Sequence, residues 1–350
     1  MKKLLALLLC AVLCLSLAAC ASNTATTTTE TTETTVEPAA EETASSDASA
    51  ETAQPAADAQ QYVVGICQLV QHDALDAATN GFMDALNEAL PGQVTFDLKN
   101  ASNDIPTCGT IVTGFVASNV DLILANATPA LQAASTATQT IPILGTAVTE
   151  YGVALDIKDF NGTVGGNISG TSDLAPLDQQ ADMLLELLPE AQNVGILYCS
   201  AEANSVYQAD VVKAALEEKG VNVTVYTFAD SNDVATVTQT ACAENDALYI
   251  PTDNTAASCT EAINNVAEPA GVPIVAGEEG ICKGCGIATL SIDYYELGKT
   301  TGAMAAKILT GEANVSEMPI EYYQNPVKKY DAARCEALGI TVPADYVAIG

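Results

Sequence analysis

The chain of 350 residues contains no tryptophan, one histidine (His72) and one arginine (Arg334). Its 44 acidic residues outnumber its 12 lysines and arginines, so the formal net charge at pH 7 is −32. Nucleic-acid binding depends on clustered lysine and arginine, and this composition therefore argues against a nucleic-acid partner. A catalytic histidine would need a partnered nucleophile in a recognisable setting, and no such pattern accompanies His72. We expect neither enzyme activity nor a cofactor.

Long apolar runs are also scarce, and only the first twenty residues, MKKLLALLLCAVLCLSLAAC, contain one. Two lysines, an apolar stretch and small residues before a cysteine are the pattern of a secretory signal peptide, here residues 1–19. The ending resembles the bacterial lipoprotein signal, in which Cys20 becomes the lipidated first residue of the mature chain. Such a lipid would anchor the protein to the extracytoplasmic face of the bacterial cell membrane without spanning it. The alternative is an ordinary cleaved signal in which Cys20 is incidental.

The segment after the signal, residues 20–61, is rich in threonine, alanine and glutamate and has one residue that could seed a core, Val36. Such a segment buries too little apolar surface to offset the entropy of ordering it. We predict a flexible stalk that holds a folded domain away from the membrane.

Eight of the eleven cysteines follow this stalk, and their pairing cannot be deduced from the sequence. Cys282 and Cys285 form a lone CKGC motif without the second ligand pair that zinc would need. The glycines around them predict a tight turn rather than the start of a helix. We expect a local disulfide or two free thiols there, and no metal site.

Two halves of the chain repeat the same pattern at a spacing of about 130 residues. VGICQLVQHD, from Val64, matches VGILYCSAEANS, from Val194. Three further pairs follow in step: QVTFDL with NVTVYTF, VDLILANAT with NDALYIPTDNT, and IPILGTAVT with VPIVAGEEG. In each half, short apolar runs alternate with stretches whose apolar residues recur at helical spacing.

This alternation is typical of α/β units that are doubly wound around a parallel sheet. We therefore predict two doubly wound parallel-sheet lobes, joined by a three-crossover hinge, with a ligand cleft between them. The C-terminal stretch LSIDYYELGKTTGAMAAKILTGEA has no partner in the first half, and we assign it to the first lobe. The predicted first lobe is 62–172 plus 290–317, and the predicted second lobe is 173–289 plus 318–350.

Ligands of open parallel sheets bind at the carboxyl ends of the strands, so the loops there should face the cleft. These loops supply many acids, amides and hydroxyls but only one nearby base, Lys283. An amino acid suits this set better than a phosphate or a dicarboxylate, because its ammonium group would find carboxylate partners. The candidate ligand-binding residues are Gln68, Thr128, Thr146, Asp173, Glu202, Asn204, Ser205, Asp253, Asn254 and Glu278.

The order of several segments is similar to that in the ABC-transporter substrate-binding lipoproteins for tryptophan or tyrosine, which have the type I periplasmic-binding fold. The segments include VGICQLVQHDALDAATNGF, ANATPALQAA, GGNISGTSDLAPL, YIPTDNT and IDYYELGKTTGAMAAKILTGE. The resemblance covers essentially all of residues 62–350. It implies an aromatic amino acid as ligand, and delivery of that ligand to a permease driven by an ATPase. It also implies that eight of the candidates line the site, all except Ser205 and Glu278.

Some of these residues have a structural alternative. Asp73, Asp253 and Asn254 precede helical patterns and are suited to cap helices as well as to contact a ligand. Glu202 has no predicted helix of its own to cap, so we assign it to the ligand ammonium. His72 is expected at the cleft mouth without a ligand role.

The predicted function is that of a monomeric, membrane-anchored extracytoplasmic receptor of an ABC importer for an amino-acid-like ligand. The alternative is a surface sensor that binds another small solute, such as a sugar or a nucleoside.

Overall fold

The computed structural model describes residues 60–350. The predicted signal peptide, the lipidated Cys20 and the predicted stalk up to residue 59 lie outside the described residues. No helix within residues 60–350 is both long enough and apolar enough to cross a bilayer.

Strands and helices alternate along most of the chain. The first half contains β1 (Tyr62–Gln68), α1 (Asp73–Ala89), β2 (Val94–Asn100), α2 (Ile105–Ala117), β3 (Leu122–Asn126), α3 (Thr128–Ala137), β4 (Ile143–Val148), α4 (Tyr151–Ala154) and β5 (Ile168–Ser172). The second contains α5 (Leu177–Leu187), β6 (Asn193–Cys199), α6 (Ala203–Glu218), β7 (Asn222–Phe228), α7 (Val234–Glu244), β8 (Ala247–Ile250), α8 (Asn254–Ser258), α9 (Thr260–Ala270), β9 (Ile274–Ala276), α10 (Glu279–Cys285) and β10 (Ala288–Ser291). The chain ends with α11 (Tyr294–Leu309), a 3₁₀ turn (Val315–Glu317), β11 (Glu321–Tyr322), β12 (Val327–Tyr330), α12 (Ala332–Ala337) and β13 (Val347–Ala348).

These strands form two sheets, one in each lobe. The first sheet has the order β11-β5-β4-β3-β1-β2, and all its strand pairs are parallel. The second has the order β13-β12-β10-β9-β8-β6-β7 and is parallel except where β10 meets β12. Strands β1–β5 and β6–β10 therefore occupy the same positions in their sheets. The predicted fold class of two doubly wound lobes is confirmed.

The apolar patterns explain why these elements form. Every residue of β3 and β4 is buried, as expected for central strands covered by helices on both faces. In α1 the fully buried residues Leu75, Ala78, Phe82 and Leu86 recur at spacings of three and four, and they place one face of the helix against the core.

Three segments join the lobes within residues 60–350, at residues 173–176, 292–293 and 323–326. Two of these positions differ from the predicted boundaries. Strand β10 lies in the second sheet, beside β9, although its last residues were assigned to the first lobe. Strand β11 pairs with β5 in the first sheet, although the chain was expected to have returned to the second lobe by Met318. Strand β10 is the counterpart of β5, and this pairing was hidden because the shorter second half breaks the repeat spacing.

Candidate functional site

The carboxyl ends of both sheets face a small cavity between the lobes, with a volume of about 10 Å³, which is room for a water molecule but not for a larger ligand unless the lobes part. Its walls come from the first lobe, the second lobe and two of the connecting segments. The lining residues are His72, Ala74, Leu75, Ala147, Thr149, Asp173, Asn204, Thr252, Asp253, Asn254, Ala257, Glu278 and Tyr294.

The lobes touch directly around this cavity. His72 Nε2 lies 3.2 Å from Asn254 Oδ1, and Asn103 Nδ2 donates to Thr255 Oγ1 at 3.0 Å. Lys283 Nζ lies 3.6 Å from Asp73 Oδ2 at the exposed rim. The structure is therefore a lobe-closed state.

Three polar atoms on the cavity have no hydrogen-bond partner. Among residues 60–350, five buried side-chain nitrogen or oxygen atoms lack one, and His72 Nδ1, Asp173 Oδ1 and Asn204 Oδ1 belong to lining residues. A buried polar atom without a partner costs about 1–3 kcal/mol, so native proteins rarely leave three together without a function. Their concentration here makes the cavity the candidate binding site.

Asp173 is the acid best placed to contact a ligand. It lies in the first connecting segment, is 3% exposed, and accepts a hydrogen bond from Tyr294 Oη at 3.0 Å on its Oδ2 atom only. Burial raises the pKa of this carboxyl to about 6, although the hydrogen bond from Tyr294 acts in the opposite direction. A cationic group beside Oδ1 would stabilise the ionised form.

The other three predicted acids are hydrogen-bonded within the protein. Glu202 accepts five hydrogen bonds, from Asn204, from Asn254 and from Thr255. Asp253 caps α8 through Ala256 N and also accepts from Cys199 N and Ser205 Oγ. Glu278 caps α10 through the backbone of Gly280 and Ile281. The carboxylate oxygens of Glu202, which we predicted to contact the ligand ammonium, are thus occupied by donors of the protein in this structure.

Burial influences the charge of two of these caps. It raises the pKa of Glu278 to about 7, and burial together with the nearby Glu202 carboxylate raises the pKa of Asp253 to about 8. Both residues still line the cavity, as does Asn254.

Five predicted residues do not line the cavity, namely Glu202 and four others. Gln68 faces α1, where it accepts from Thr79 Oγ1 and donates to Asp76. Thr146 belongs to a buried hydroxyl cluster with Thr171 and Thr301. The remaining two are Thr128, the buried first residue of α3, and Ser205, which donates to Asp253. The sequence could not separate the two faces of these strand ends.

Eight of the thirteen lining residues were not among the candidates, including His72, Thr149 and Tyr294. His72 was placed at the cleft mouth without a ligand role, yet it contributes a buried, unpaired Nδ1 atom. Thr149 follows a bulge in β4 at which Ala147 has a positive φ of 50°, a backbone conformation that alanine rarely adopts. Tyr294 begins α11, directly after a connecting segment, and only knowledge of the hinge could have identified it.

The residues of the CKGC motif do not line the cavity. Cys282 and Cys285 lie on α10, so the predicted tight turn is wrong, and both are free, buried thiols. Burial raises the pKa of Cys285 to about 12. Within residues 60–350, no three His, Cys, Asp or Glu side chains group to hold a metal ion.

Two lobes closed over a buried polar cavity define a solute-binding protein. The chain belongs to the family of ABC transporter substrate binding proteins, whose pattern matches residues 63–347. Members are extracytoplasmic solute-binding proteins rather than enzymes, so this chain binds a small molecule and does not catalyse a reaction.

Relatives agree with this assignment. The chain is 36% identical over 264 residues to the tyrosine-binding protein of Clostridioides difficile, covering 75% of this chain and 76% of that protein. It is similar to an ABC domain of Streptococcus pneumoniae in complex with L-Trp, with 30% identity, a TM-score of 0.78 and coverage of 81% and 97%. A ligand-free, open substrate binding protein of Clostridium difficile is 35% identical and has a TM-score of 0.63, with coverage of 83% and 100%. The lower score despite higher identity agrees with the closed lobes of this chain.

Proposed function

We propose that this protein binds an aromatic L-amino acid between its lobes and holds the ligand ammonium group against Asp173, Asn204 and His72. The observation that carries the proposal is the set of three unpaired atoms on the cavity. Asp173 Oδ1 and Asn204 Oδ1 are acceptors, and neutral His72 offers a third acceptor if its hydrogen is on Nε2. An ammonium group supplies three N–H donors and a charge that complements Asp173.

The carboxylate of the ligand would lie at the start of α1. This helix is 17 residues long, and no side chain caps its first backbone N–H groups. Ala74 and Leu75, in its first turn, line the cavity. The uncapped N–H groups and the helix dipole favour an anion there, and the carboxylates of Asp73 and Asp76 in the same turn act against it.

The walls of the cavity include apolar surface, and an aromatic side chain would contact it once the lobes part far enough to admit the ligand. Leu75, Ala147, Ala257 and the ring of Tyr294 contribute apolar surface between the polar groups. The tyrosine-binding and L-Trp-bound relatives support an aromatic ligand.

In this proposal the protein is a lipoprotein receptor of an importer. Cys20 carries the lipid, the stalk extends the lobes from the membrane, and the closed lobes dock on a permease that an ATPase drives. Binding the closed state more tightly than the open state is enough for the ligand to shift the lobe equilibrium. Loss of radiolabelled palmitate from the expressed protein on Cys20→Ser would support the anchor, and retained label would contradict it.

The ligand assignment is tested by calorimetry with matched compounds. L-tyrosine and L-tryptophan should bind, and tryptamine, which keeps the amine, should bind more tightly than indole-3-propionate, which keeps only the carboxylate. Binding of indole-3-propionate as tight as that of L-tryptophan would contradict an ammonium site. If neither amino acid binds and a sugar or a nucleoside does, the ligand belongs to that other class of compound.

A further inference from the structure

Glu202 lies under the cavity wall, where its carboxylate organises three residues of the second lobe. Oε1 accepts from Thr255 N and Thr255 Oγ1, both at 2.8 Å. Oε2 accepts from Asn254 N at 3.1 Å, from Asn254 Nδ2 at 2.6 Å and from Asn204 Nδ2 at 3.3 Å. These carboxylate oxygens act as acceptors, so both asparagines turn their NH₂ groups toward Glu202. The NH₂ group of Asn204 also donates to the carbonyl oxygen of Thr252 at 3.0 Å and to Ser205 Oγ at 3.3 Å, so Glu202 shares the orientation of Asn204 with these acceptors.

This arrangement determines which side-chain atoms of Asn204 and Asn254 point away from Glu202. Each side-chain amide has one NH₂ group and one oxygen, so committing the NH₂ group to Glu202 leaves the oxygen on the other side. Asn204 Oδ1 is the buried, unpaired acceptor of a cavity-lining residue. Asn254 Oδ1 lies 3.2 Å from His72 Nε2, across the closed cleft.

The orientation of the Asn254 amide also determines which nitrogen of His72 carries the hydrogen. Because Asn254 Oδ1 is an acceptor, His72 Nε2 must carry the hydrogen of that contact. A neutral imidazole has one N–H group, so its Nδ1 atom is left as an acceptor. Burial lowers the pKa of His72 and favours this neutral form.

We infer that Glu202 is a positioning residue that sets the hydrogen-bond polarity of Asn254 and His72 and, together with the Thr252 carbonyl, that of Asn204, so that the cavity presents acceptors and selects ligands that carry N–H donors. This inference rests on the proposed ammonium site but names a residue that does not touch the ligand. It replaces the direct ligand contact expected from the sequence.

Glu202→Gln tests the inference because glutamine must turn its own NH₂ group toward one of two donor sets. Either the donors of Thr255 or those of Asn254 and Asn204 then meet another donor. The orientation of the Asn254 amide is no longer determined, whereas Asn204 keeps the Thr252 carbonyl as an acceptor. Glu244→Gln is the matched control, because it removes a carboxylate of the same lobe that bonds Tyr226 Oη and does not line the cavity.

The first measurement needs no ligand, because Glu202, Asn204 and Asn254 all belong to the second lobe. Hydrogen exchange of the Asn254 NH₂ group is followed by NMR, with the signal assigned by its loss in Asn254→Asp. We expect slow exchange in the unaltered protein and in Glu244→Gln, and exchange at least tenfold faster in Glu202→Gln. Equal exchange in all three proteins would overturn the inference.

The second measurement compares L-tryptophan with indole-3-propionate. Sites built to hydrogen-bond a group reject analogues that lack it by up to about 10⁴-fold, so the ratio of the two affinities is a sensitive readout. The ratio should fall at least tenfold in Glu202→Gln and stay unchanged in Glu244→Gln. A variant that loses affinity for both compounds equally would show a merely structural role and overturn the inference.

The two measurements separate failure of this inference from failure of the proposed function. If neither compound binds the unaltered protein, the ligand assignment is wrong, while the exchange measurement still decides the role of Glu202. If Glu202→Gln does not fold, measurements on the unaltered protein test the inference by themselves. Fast exchange of its Asn254 NH₂ group, or protonation of Nδ1 in its only histidine in the lobe-closed complex, would overturn the inference.

Discussion

Tyr294 donates its hydroxyl hydrogen to Asp173 Oδ2 at 3.0 Å, and this bond connects the first lobe-joining segment to the helix that directly follows the second. Both side chains are buried and line the cavity, and the other carboxylate oxygen of Asp173 has no hydrogen-bond partner. One carboxylate thus belongs to the hinge and to the ligand site. A ligand cation on Oδ1 favours the charged form, which in turn strengthens the bond to Tyr294.

Tyr294→Phe should weaken the binding of L-tryptophan or L-tyrosine by about 10- to 100-fold. The substitution removes one hydrogen bond to a charged group, which contributes roughly 1.5–3 kcal/mol, and leaves the ring in place. Without this donor the pKa of Asp173 should rise further, so less of the carboxylate is ionised when the ligand arrives. Isothermal titration calorimetry at pH 7 measures the change.

The neighbouring Tyr295→Phe is the matched control. Its hydroxyl donates to Asp84 Oδ2, also at 3.0 Å, but on the exposed surface of α1 and α11. Affinity should stay within about twofold, because exposed polar contacts contribute little. A similar loss in both variants would mean that the tyrosines act through helix packing rather than through Asp173.

The affinity for an ammonium ligand should fall as the pH drops below about 6. Burial holds the pKa of Asp173 near this value, so a growing fraction of the carboxyl is protonated and uncharged in more acidic solution. Protonation of His72 would add a like charge and act in the same direction. Titrations between pH 5 and 8 should show a first rise in affinity through about pH 6, followed by a further rise toward pH 8 as the lining carboxyls Glu278 and Asp253 ionise.

Asp173→Asn provides the comparison for this pH dependence. The amide keeps an acceptor for Tyr294 but carries no charge, so affinity should be low at every pH and the step near pH 6 should disappear. A step that persists in Asp173→Asn would assign it to another group, such as His72.

Much of the fold was accessible from the sequence because the apolar periodicity and the internal repeat are long-range signals. The segments at Val64 and Val194 indeed form the equivalent strands β1 and β6. The crossing positions were less accessible, since β10 and β11 are short and pair with strands far away in the sequence. Their sheet membership depends on tertiary contacts rather than on local pattern.

The site was predicted at the level of loops but not of side-chain direction. Asp173, Asn204, Asp253, Asn254 and Glu278 line the cavity as expected. Residues such as Gln68 and Glu202 lie one layer deeper, because adjacent polar residues at a strand end can turn toward the ligand or toward a helix terminus. Hydrogen bonds that form only in the folded chain decide between these directions.

The buried cysteines should be inert in the folded protein. Cys259 is partly exposed, whereas Cys282 and Cys285 are buried on α10 and burial raises the pKa of both thiols. Alkylation requires the thiolate and access to it. Iodoacetamide labelling followed by peptide mapping should therefore modify Cys259 first, and Cys282 and Cys285 only after unfolding.

Two outcomes of this labelling would contradict the structure. Early modification of Cys282 would mean that α10 opens readily in the native state. Resistance of Cys282 and Cys285 after unfolding, relieved by a reductant, would reveal the local disulfide that the CKGC sequence also allows.

Helices α1 and α11 pack so closely that glycine is required where they cross. A Cβ atom on Gly298 would lie 2.0 Å from the backbone oxygen of Ala78, and one on Gly81 would lie 2.1 Å from that of Tyr295. Backbone atoms cannot rotate aside as side chains do. This crossing places the N-termini of both helices, with His72 and Tyr294, beside the cavity.

Gly298→Ala should therefore lower the free energy of unfolding by about 1–3 kcal/mol, through the forced separation of the two helices. Gly109→Ala in α2 is the matched control, because a Cβ atom there meets nothing within 4 Å. In that variant alanine should raise stability by roughly 0.5–1 kcal/mol, since it favours the helix over the unfolded chain. Urea unfolding measures both values, and a stable Gly298→Ala protein would mean that the helices can separate freely. If instead the variant is destabilised and also binds L-tryptophan more weakly at a temperature where it remains folded, the crossing supports the site as well as the fold.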